Sequence, residues 1–455
     1  MDRASLESLS REQLIEIILA QAEMIARLLK RVEDLEARQA LPPKTPGNSS
    51  TPPSQSRKPS SGGDPQPKGK RRGKAHAGSH RALDPDPTQT LEIKASCCPH
   101  CRGDVSLAGQ RLCEAYDHLD IPPVEPVVTR VMLFGGVCPH CREGFKAEAP
   151  ADMPSGSPFG ANLRALVIYL RYTQGIAFER LGRLLHDLYG LTISEGALVN
   201  RLKAATEPFA AQTDRIRSRL LSSTVLESDE TSLRVGKSNF WLWIVHHKDS
   251  AVFLADPTRA KRVLEEFLAG YRPDFWISDR YGGQKGFAAK EHQFCLAHLI
   301  RDAQYAVDAG DTCFAPGLIC LFKRACRLGR RRDQFTDRQL TAYHKKFVKK
   351  LSDLLMRQPT HGEGIKLQGV IGKIRRNLFV FVTNRDLAAT NNESERSLRP
   401  CVTFRKITNG FRTVWGAELY ADIRSVIETA RRRAITPLQA IIWTLRGSPL
   451  PLKAA

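Results

Sequence analysis

The stretch "TVLESDETSLRVGKSNFWLWIVHHKDSAVFLA", Thr224–Ala255, decides the fold of this chain. Asp229 lies in a segment whose apolar residues, Val225, Leu226, Leu233 and Val235, flank a polar middle and alternate at its end, and two apolar runs follow, "NFWLWIVHH" and "AVFLA". That pattern predicts three consecutive strands. A helix over "RAKRVLEEFLAGY" (259–271) then leads to a fourth apolar strand, "DFWISDRYGG", with Asp279 at its end. "HQFC" (292–295) reads as a short fifth strand and "LAHLIRDAQYAV" (296–307) as a helix.

Three strands, a helix and a further strand, with acids on the first and at the end of the fourth, is the order of a ribonuclease-H-like sheet. In that order strands one and four are neighbours at the sheet centre, so Asp229 and Asp279 are expected to face each other. Two converging carboxylates in a basic protein suggest Mg²⁺ (or Mn²⁺), which takes hard oxygen ligands and bridges phosphate oxygens. For any one Asp alone, a strand-end or capping role is the commoner one. The linked placement of two acids in one topology is what favours a metal site.

Downstream, residues 309–388 carry helical patterns and no strand signal, and they interrupt the sheet domain. Between 321 and 350 they hold eleven Lys/Arg against two Asp. Arg330, Arg331, Arg332, Lys345 and Lys346 are expected to track DNA backbone; a solvated basic helix face is the alternative. The chain then reaches "NNESERSLRP" (391–400), where a helix starting at the asparagines can return Glu393 or Glu395 to the sheet.

Upstream, residues 155–218 read as helical. A helix, a Gly-containing turn and a second helix capped by Ser194 are compatible with a helix-turn-helix offering Arg201 and Lys203 to a groove, or with a plain helical core. Before it stand "CCPHC" (97–101) and "CPHC" (138–141), 36 residues apart. Cys98, Cys101, Cys138 and Cys141 supply four thiolates in two tight turns, as tetrahedral Zn²⁺ requires, and strand-like alternation between them predicts a zinc ribbon. Whether that ribbon touches DNA or only folds its domain stays open. Residues 41–92 are rich in Pro, Ser, Gly and Lys, include "KGKRRGK" (68–74) and read as a disordered basic linker. At the N-terminus, Ile18, Ile25 and Val32 share one heptad position and Leu14, Gln21, Leu28 and Leu35 another, which predicts a two-stranded coiled coil or a helix packed on its own protein.

The resulting fold class is multidomain α/β. A coiled-coil helix (1–40), the linker (41–92), a zinc ribbon (93–150) and an HTH-like helical domain (155–218) precede an RNase-H-like mixed-sheet core (222–308 and 389–432). That core is split by a basic α-helical insertion (309–388) and followed by a helical tail (433–455). The formal charge of +21 over 455 residues points to a polyanionic partner, most simply nucleic acid. No apolar run reaches the roughly 20 residues needed to cross a bilayer, and the N-terminus lacks a signal-peptide core, so a cytoplasmic protein with no membrane partner is expected.

"NNESERSLRPCVTFRK" (391–406) resembles the Asn-Asn-x-x-Glu-Arg…Arg-Pro…Arg-Lys signature of the IS66-family transposases, DDE-type enzymes encoded by bacterial insertion sequences. "ESDET" (227–231), "ISDRYGGQKGF" (277–287), "CLAHLIRD" (295–302) and "GAELYADIRSVIETARRRAITPLQAI" (416–441) are similar to further segments of that family, in the same order. "RKITNGFRT" (405–413) departs from it, being longer and more basic than the Arg-Lys-Asn form. The resemblance implies an acidic triad of Asp229, Asp279 and Glu395, with Glu393 at a variable position. It also implies cleavage of double-stranded DNA at the element's terminal inverted repeats and joining of 3′-hydroxyls to target DNA. Arg396, Arg399, Arg405 and Lys406, close to that third carboxylate, are candidate phosphate contacts, with a surface ion-pair role as the alternative for each. Cys295 with His298 reads as a pair packing the helix under the site, the alternative being half a metal site. At least a dimer is expected, because synapsis needs two ends, and small accessory proteins of the same element are expected partners. A DNA-binding protein without catalysis, an end-binder or repressor, is the competing function.

Overall fold

A computed structural model describes residues 10–39, 41–49, 81–156, 159–284 and 289–452. The basic run at 68–74 lies outside the described residues. The first element, helix α1 (Arg11–Gln39), leaves Ile18, Ile25, Leu28 and Val32 exposed along its length. The heptad positions Leu14 and Leu35 fall among side chains outside the description.

Part of the expected linker is built into the fold. Thr45 and Asn48 close a turn (Thr45 N to Asn48 Oδ1, 2.7 Å), and the buried Asn48 donates its Nδ2 to Asp308 Oδ2 at 2.9 Å. Lys44 lies 5.7 Å from the Tyr305 ring centre, a cation–π distance.

Around the cysteines, the only regular pairing among described residues is a ribbon of β1 (Gly135–Val137) and β2 (Gly144–Lys146). The apolar alternation from 115 to 134 forms no strand, and Ile121, Val127 and Val128 are exposed. Pro122, Pro123 and Pro126 deny that segment the amide donors a ladder needs.

A helical unit follows: α2 (Ala161–Ile168), continued by a π turn, α3 (Phe178–Tyr189), α4 (Glu195–Lys203) and α5 (Thr206–Leu220). Gly190 ends α3 at φ +64°, and Ser194 Oγ accepts from Ala197 N to open α4.

The large sheet comprises β3 (Val225–Val235), β4 (Ser238–His247), β5 (Ser250–Asp256), β6 (Phe275–Ser278) and β7 (Glu291–Phe294), in the spatial order β5-β4-β3-β6-β7. β3, β4 and β5 pair antiparallel; β6 joins β3 in parallel after the crossover through α6 (Arg262–Leu268), and β7 joins β6 in parallel. The β3–β4 link is two residues long with Gly236 at φ +58°, the left-handed entry such a hairpin needs.

From β7 the chain enters α7 (Leu296–Asp308), then α8 (Ala315–Gly329), α9 (Asp337–Leu355), α10 (Gly362–Ile374) and the short α11 (Val380–Thr383). These helices build a second apolar core around Phe314, Phe322, Phe347 and Phe379, packed against Ile277 and Phe294 of the sheet. Their junction is fixed by Asp311, whose carboxylate accepts from the amides of Phe314, Ala315 and Thr360.

The chain returns through α12 (Asn392–Thr408), which lies on β3 and β4, and α13 (Val414–Arg432), which packs on β5 and α5; α14 (Pro437–Leu445) closes the helical unit. Trp243 and Trp276 are fully buried in this first core. Between α12 and α13, Phe411 exchanges hydrogen bonds with Arg234 and Gly236. A Cβ on Gly410 (φ +97°) would fall 2.4 Å from the Arg234 carbonyl, so only glycine fits there.

Candidate active site

β3 and β6 run side by side in parallel, with Val225 opposite Phe275 and Glu227 opposite Ile277, an offset of fifty residues. Carried to the strand ends, that offset puts Asp229 level with Asp279. Each aspartate is braced by a neighbouring amide: Asp229 Oδ1 accepts from Glu230 N at 2.9 Å, and Asp279 Oδ1 from Tyr281 N at 2.8 Å. Burial, followed by the charges of Glu230, Asp279 and Glu395, holds the Asp229 carboxyl well above the usual carboxylate range. Asp279 and Glu395 therefore both act on Asp229, although 166 positions separate Asp229 from Glu395.

The two glutamates of α12 point to different partners. Glu395 Oε1 accepts from Arg301 Nη2 at 3.0 Å and lies 3.5 Å from His298 Nε2, both on α7. Glu393 accepts from Arg431 at 2.7 Å and lies 3.4 Å from Arg432, both on α13, and 3.7 Å from Arg396. Behind it Glu428, nearly fully buried, accepts from Ser397, Arg431 and Arg432. Glu393 thus belongs to an ion-pair network joining α12 to α13, and Glu395 to the aspartate side.

Arg259 flanks the acids. It pairs with Glu230, whose side chain is fully buried, and its guanidinium lies over the rings of Trp241 and Tyr281 at 4.7 and 3.5 Å. Arg280 pairs with Asp302 of α7. Cations thus neutralise the outer acids, and Asp229 is left among carboxylates. In donor chemistry alone, three carboxylates, Asp229, Asp279 and Glu395, suit a hard cation such as Mg²⁺ or Mn²⁺. Among the described residues, no three His, Cys, Asp or Glu side chains stand close enough together to hold an ion as they lie.

The same holds for the cysteines, taken as a set of four. Each knuckle is nevertheless formed. Cys98 N donates to Gly103 O and Arg102 N to Cys98 O; Cys138 N donates to Glu143 O and Arg142 N to Cys138 O. Arg102 and Arg142 take matching left-handed conformations, φ 59° and 62°. Amides at Cys101 and His100 lower the Cys98 thiol pKa, and those at Cys141 and His140 lower that of Cys138, which favours the thiolates a metal binds.

The basic residues separate into two kinds. Arg396, Arg399 and Lys406 on α12, Arg330, Arg331, Lys345 and Lys346 on the inserted lobe, and Lys203 on α4 are exposed. Arg332 instead donates to the carbonyls of Phe381 and Asn384 (2.5 and 2.6 Å), and Arg405 to Ser232. Arg201 lines a small apolar groove with Phe159, Leu163 and Leu198. Arg332 and Arg405 brace the fold because their guanidinium groups reach protein oxygens before solvent.

Sequence reasoning assigned Cys295 and His298 to packing and did not pick out Arg301 or Asn391. His298 and Arg301 follow one another at i, i+3 on α7, the spacing that puts both on one helix face toward Glu395. Asn391 is fully buried, and only its place ahead of the acidic turn marked it in the sequence.

No helix among the described residues is long and apolar enough to cross a membrane. Among proteins of known sequence, the chain is similar to "Uncharacterized protein y4jD" of Sinorhizobium fredii (strain NBRC 101917 / NGR234), 22% identical over 382 residues, 76% of this chain and 73% of that protein. The sequence model of the family described as "Transposase IS66 family" matches residues 156–419, more than half of the chain, from the helical unit through the sheet and the inserted lobe into α13. By the extent of that match, this chain belongs to the IS66 family of transposases.

Proposed function

We propose that the protein is a metal-dependent DDE-type DNA transposase with an RNase-H-like core, in which Asp229, Asp279 and Glu395 hold Mg²⁺ or Mn²⁺. The observation that supports this reading is the parallel register of β3 on β6, which extended two residues past Glu227 and Ile277 brings Asp229 beside Asp279, with Glu395 acting on Asp229 from α12. The strand order β5-β4-β3-β6-β7, with its last two pairings parallel, supports the RNase-H-like assignment. When bound, the metal polarises phosphate oxygens and lowers the barrier to in-line displacement. The chain's own contribution is to place the carboxylates and bind DNA. Arg396, Arg399 and Lys406, exposed on the helix that carries Glu395, are positioned to meet phosphates near that site. Arg301 and His298 orient Glu395, whose carboxylate would be one of the groups to hold the metal.

The exposed apolar residues of α1 support pairing of two copies through that helix. The matched knuckles support a Zn²⁺ held by Cys98, Cys101, Cys138 and Cys141. The DNA partners are the element's terminal repeats and a target duplex, with accessory proteins of the same element as further partners.

The test is cleavage of DNA bearing the element's ends in Mg²⁺, comparing the wild type with Asp229→Ala and Glu395→Ala. The wild type should nick the ends, and both variants should bind without nicking. A wild type that binds ends but never nicks them, with its accessory proteins present, is a non-catalytic end-binder instead.

A further inference from the structure

Asn391 is linked to the segments that carry all three acids, to two directly and to the third through Cys295. Its Nδ2 donates to the carbonyl of Ser228, the residue before Asp229, at 2.9 Å. Its backbone N donates to Cys295 Sγ at 3.1 Å, and the Cys295 amide in turn donates to the carbonyl of Ser278, the residue before Asp279, at 3.0 Å. Its own carbonyl accepts from Glu395 N at 3.3 Å, at the start of α12.

The carboxamide cannot rotate freely, because its oxygen is also held. Ser394 Oγ donates to Asn391 Oδ1, and His246 Nε2 lies 2.7 Å from the same hydroxyl. Asn391 Oδ1 can only accept, so the serine's single proton goes to it and His246 must donate through Nε2–H. The other ring nitrogen, Nδ1, has no hydrogen-bond partner. Asn391, Ser394 and His246 are all fully buried. A buried polar chain whose bonds fix one orientation specifies geometry as well as stability.

We infer that Asn391 is a positioning residue that sets the mutual spacing of Asp229, Asp279 and Glu395, with Ser394 and His246 fixing its carboxamide. This rests on the metal-site reading of the three acids. Asn391 touches neither DNA nor the reacting atoms, so its loss should leave DNA affinity intact and weaken what the three acids do together.

The experiment uses the full-length chain with Asn391→Ala, Asn391→Asp and Ser394→Ala, and Asn392→Ala as the control at an exposed neighbour. Asn391→Asp keeps the shape and turns a donor into an acceptor facing the Ser228 carbonyl. Ser394→Ala removes only the fixing contact and keeps the test open if Asn391→Ala does not fold. Three quantities are read: cleavage rate at saturating DNA, affinity for element ends, and the rise in Tm with Mg²⁺ concentration. Outer partners of metal ligands are typically worth about 10- to 100-fold in metal affinity or activity. The Asn391 variants should therefore cut about 10- to 100-fold more slowly and need about tenfold more Mg²⁺ for the same Tm rise, with DNA affinity within about twofold of wild type. Folded Asn391→Asp and Ser394→Ala proteins that cut at the wild-type rate, with wild-type Mg²⁺ dependence, overturn the inference. If the wild type itself neither cuts nor gains stability from Mg²⁺, the metal-site reading fails on wild-type data alone and takes the inference with it.

Discussion

Replacing Glu393 and Glu395 in turn by Gln separates their roles. Each carboxylate is about one-third exposed, and each engages arginine: Glu393 with Arg431 and Arg432, Glu395 with Arg301. Losing Glu393 strands neither arginine, since Arg431 and Arg432 keep Glu428 at 2.6 and 3.1 Å. Losing Glu395 leaves Arg301 one-quarter exposed and able to reach water. Gln keeps an acceptor in both places, so each variant should lose only about 1 kcal/mol of stability. The two losses nearly match, so a difference in activity between the variants is not a folding effect. If Glu395 is a metal ligand, its removal should cost on the order of 4 kcal/mol of barrier, about a thousandfold in rate. Glu393→Gln should cut within about threefold of wild type, a difference of well under 1 kcal/mol. The assay is a single-turnover nicking time course on element-end DNA in Mg²⁺, with urea unfolding of both variants alongside. Loss of nicking in Glu393→Gln, with Glu395→Gln still active, would refute the assignment.

Glu428→Ala leaves Arg424 and Arg432, whose side chains are 4% and 6% exposed, without their buried acid, and should cost about 3–5 kcal/mol in urea unfolding followed by the fluorescence of Trp243 and Trp276; a loss under about 1 kcal/mol refutes the network's importance. His247 is held neutral, its pKa pulled down to about 4 by burial and then by Lys248. Below pH 6.5 the unfolded chain therefore takes up a proton that the folded chain refuses. The wild type loses up to about 1.4 kcal/mol per pH unit between pH 6.5 and 4, and His247→Gln, which lacks this term, should gain on it by about 2 kcal/mol from pH 7 to pH 5. An unchanged gap between the two proteins would rule this out. Purified protein should carry about one zinc per chain by elemental analysis, as a four-cysteine site requires, and Cys98→Ser or Cys138→Ser should lose it; full zinc in both variants disproves the shared site. Ile18→Glu with Ile25→Glu should convert a sedimenting dimer to monomer, and a wild type already monomeric at micromolar concentration removes α1 as the pairing element.

Strand positions are readable because apolar pairs, Val225 with Leu226 and Leu233 with Val235, bracket the polar middle of β3 and β4 carries a nearly unbroken apolar run, patterns that depend on neighbours in the sequence. Ser194 and Gly190 marked their helix ends for the same local reason. What escaped the sequence depends on distant partners. Nothing near Asn48 announces that it meets Asp308, 260 positions away. Arg332 looks like its exposed neighbours Arg330 and Arg331 until the fold brings the carbonyls of Phe381 and Asn384 to it. Which glutamate of α12 faces the aspartates is set by the rotation of that helix on the sheet, and the arginines that claim Glu393 lie nearly forty residues on. The ribbon was overextended because apolar alternation outweighed three prolines whose missing amides forbid a ladder.

The inserted lobe leaves and rejoins the large sheet at almost one point. Leu296 N, at the start of the outgoing helix α7, donates to the carbonyl of Ala389 at 3.0 Å, and two residues later the returning Asn391 amide meets Cys295. The doorway is stitched shut behind the lobe, so the sheet sees the same two ends whatever the intervening chain does. The entropy of closing a longer excursion grows only with the logarithm of its length, about 0.6 kcal/mol per doubling. Evolution or an engineer can therefore lengthen, trim or exchange the lobe's outer helices, and with them the basic surface it presents, while the frame that carries Glu395 back to the aspartates stays where it is.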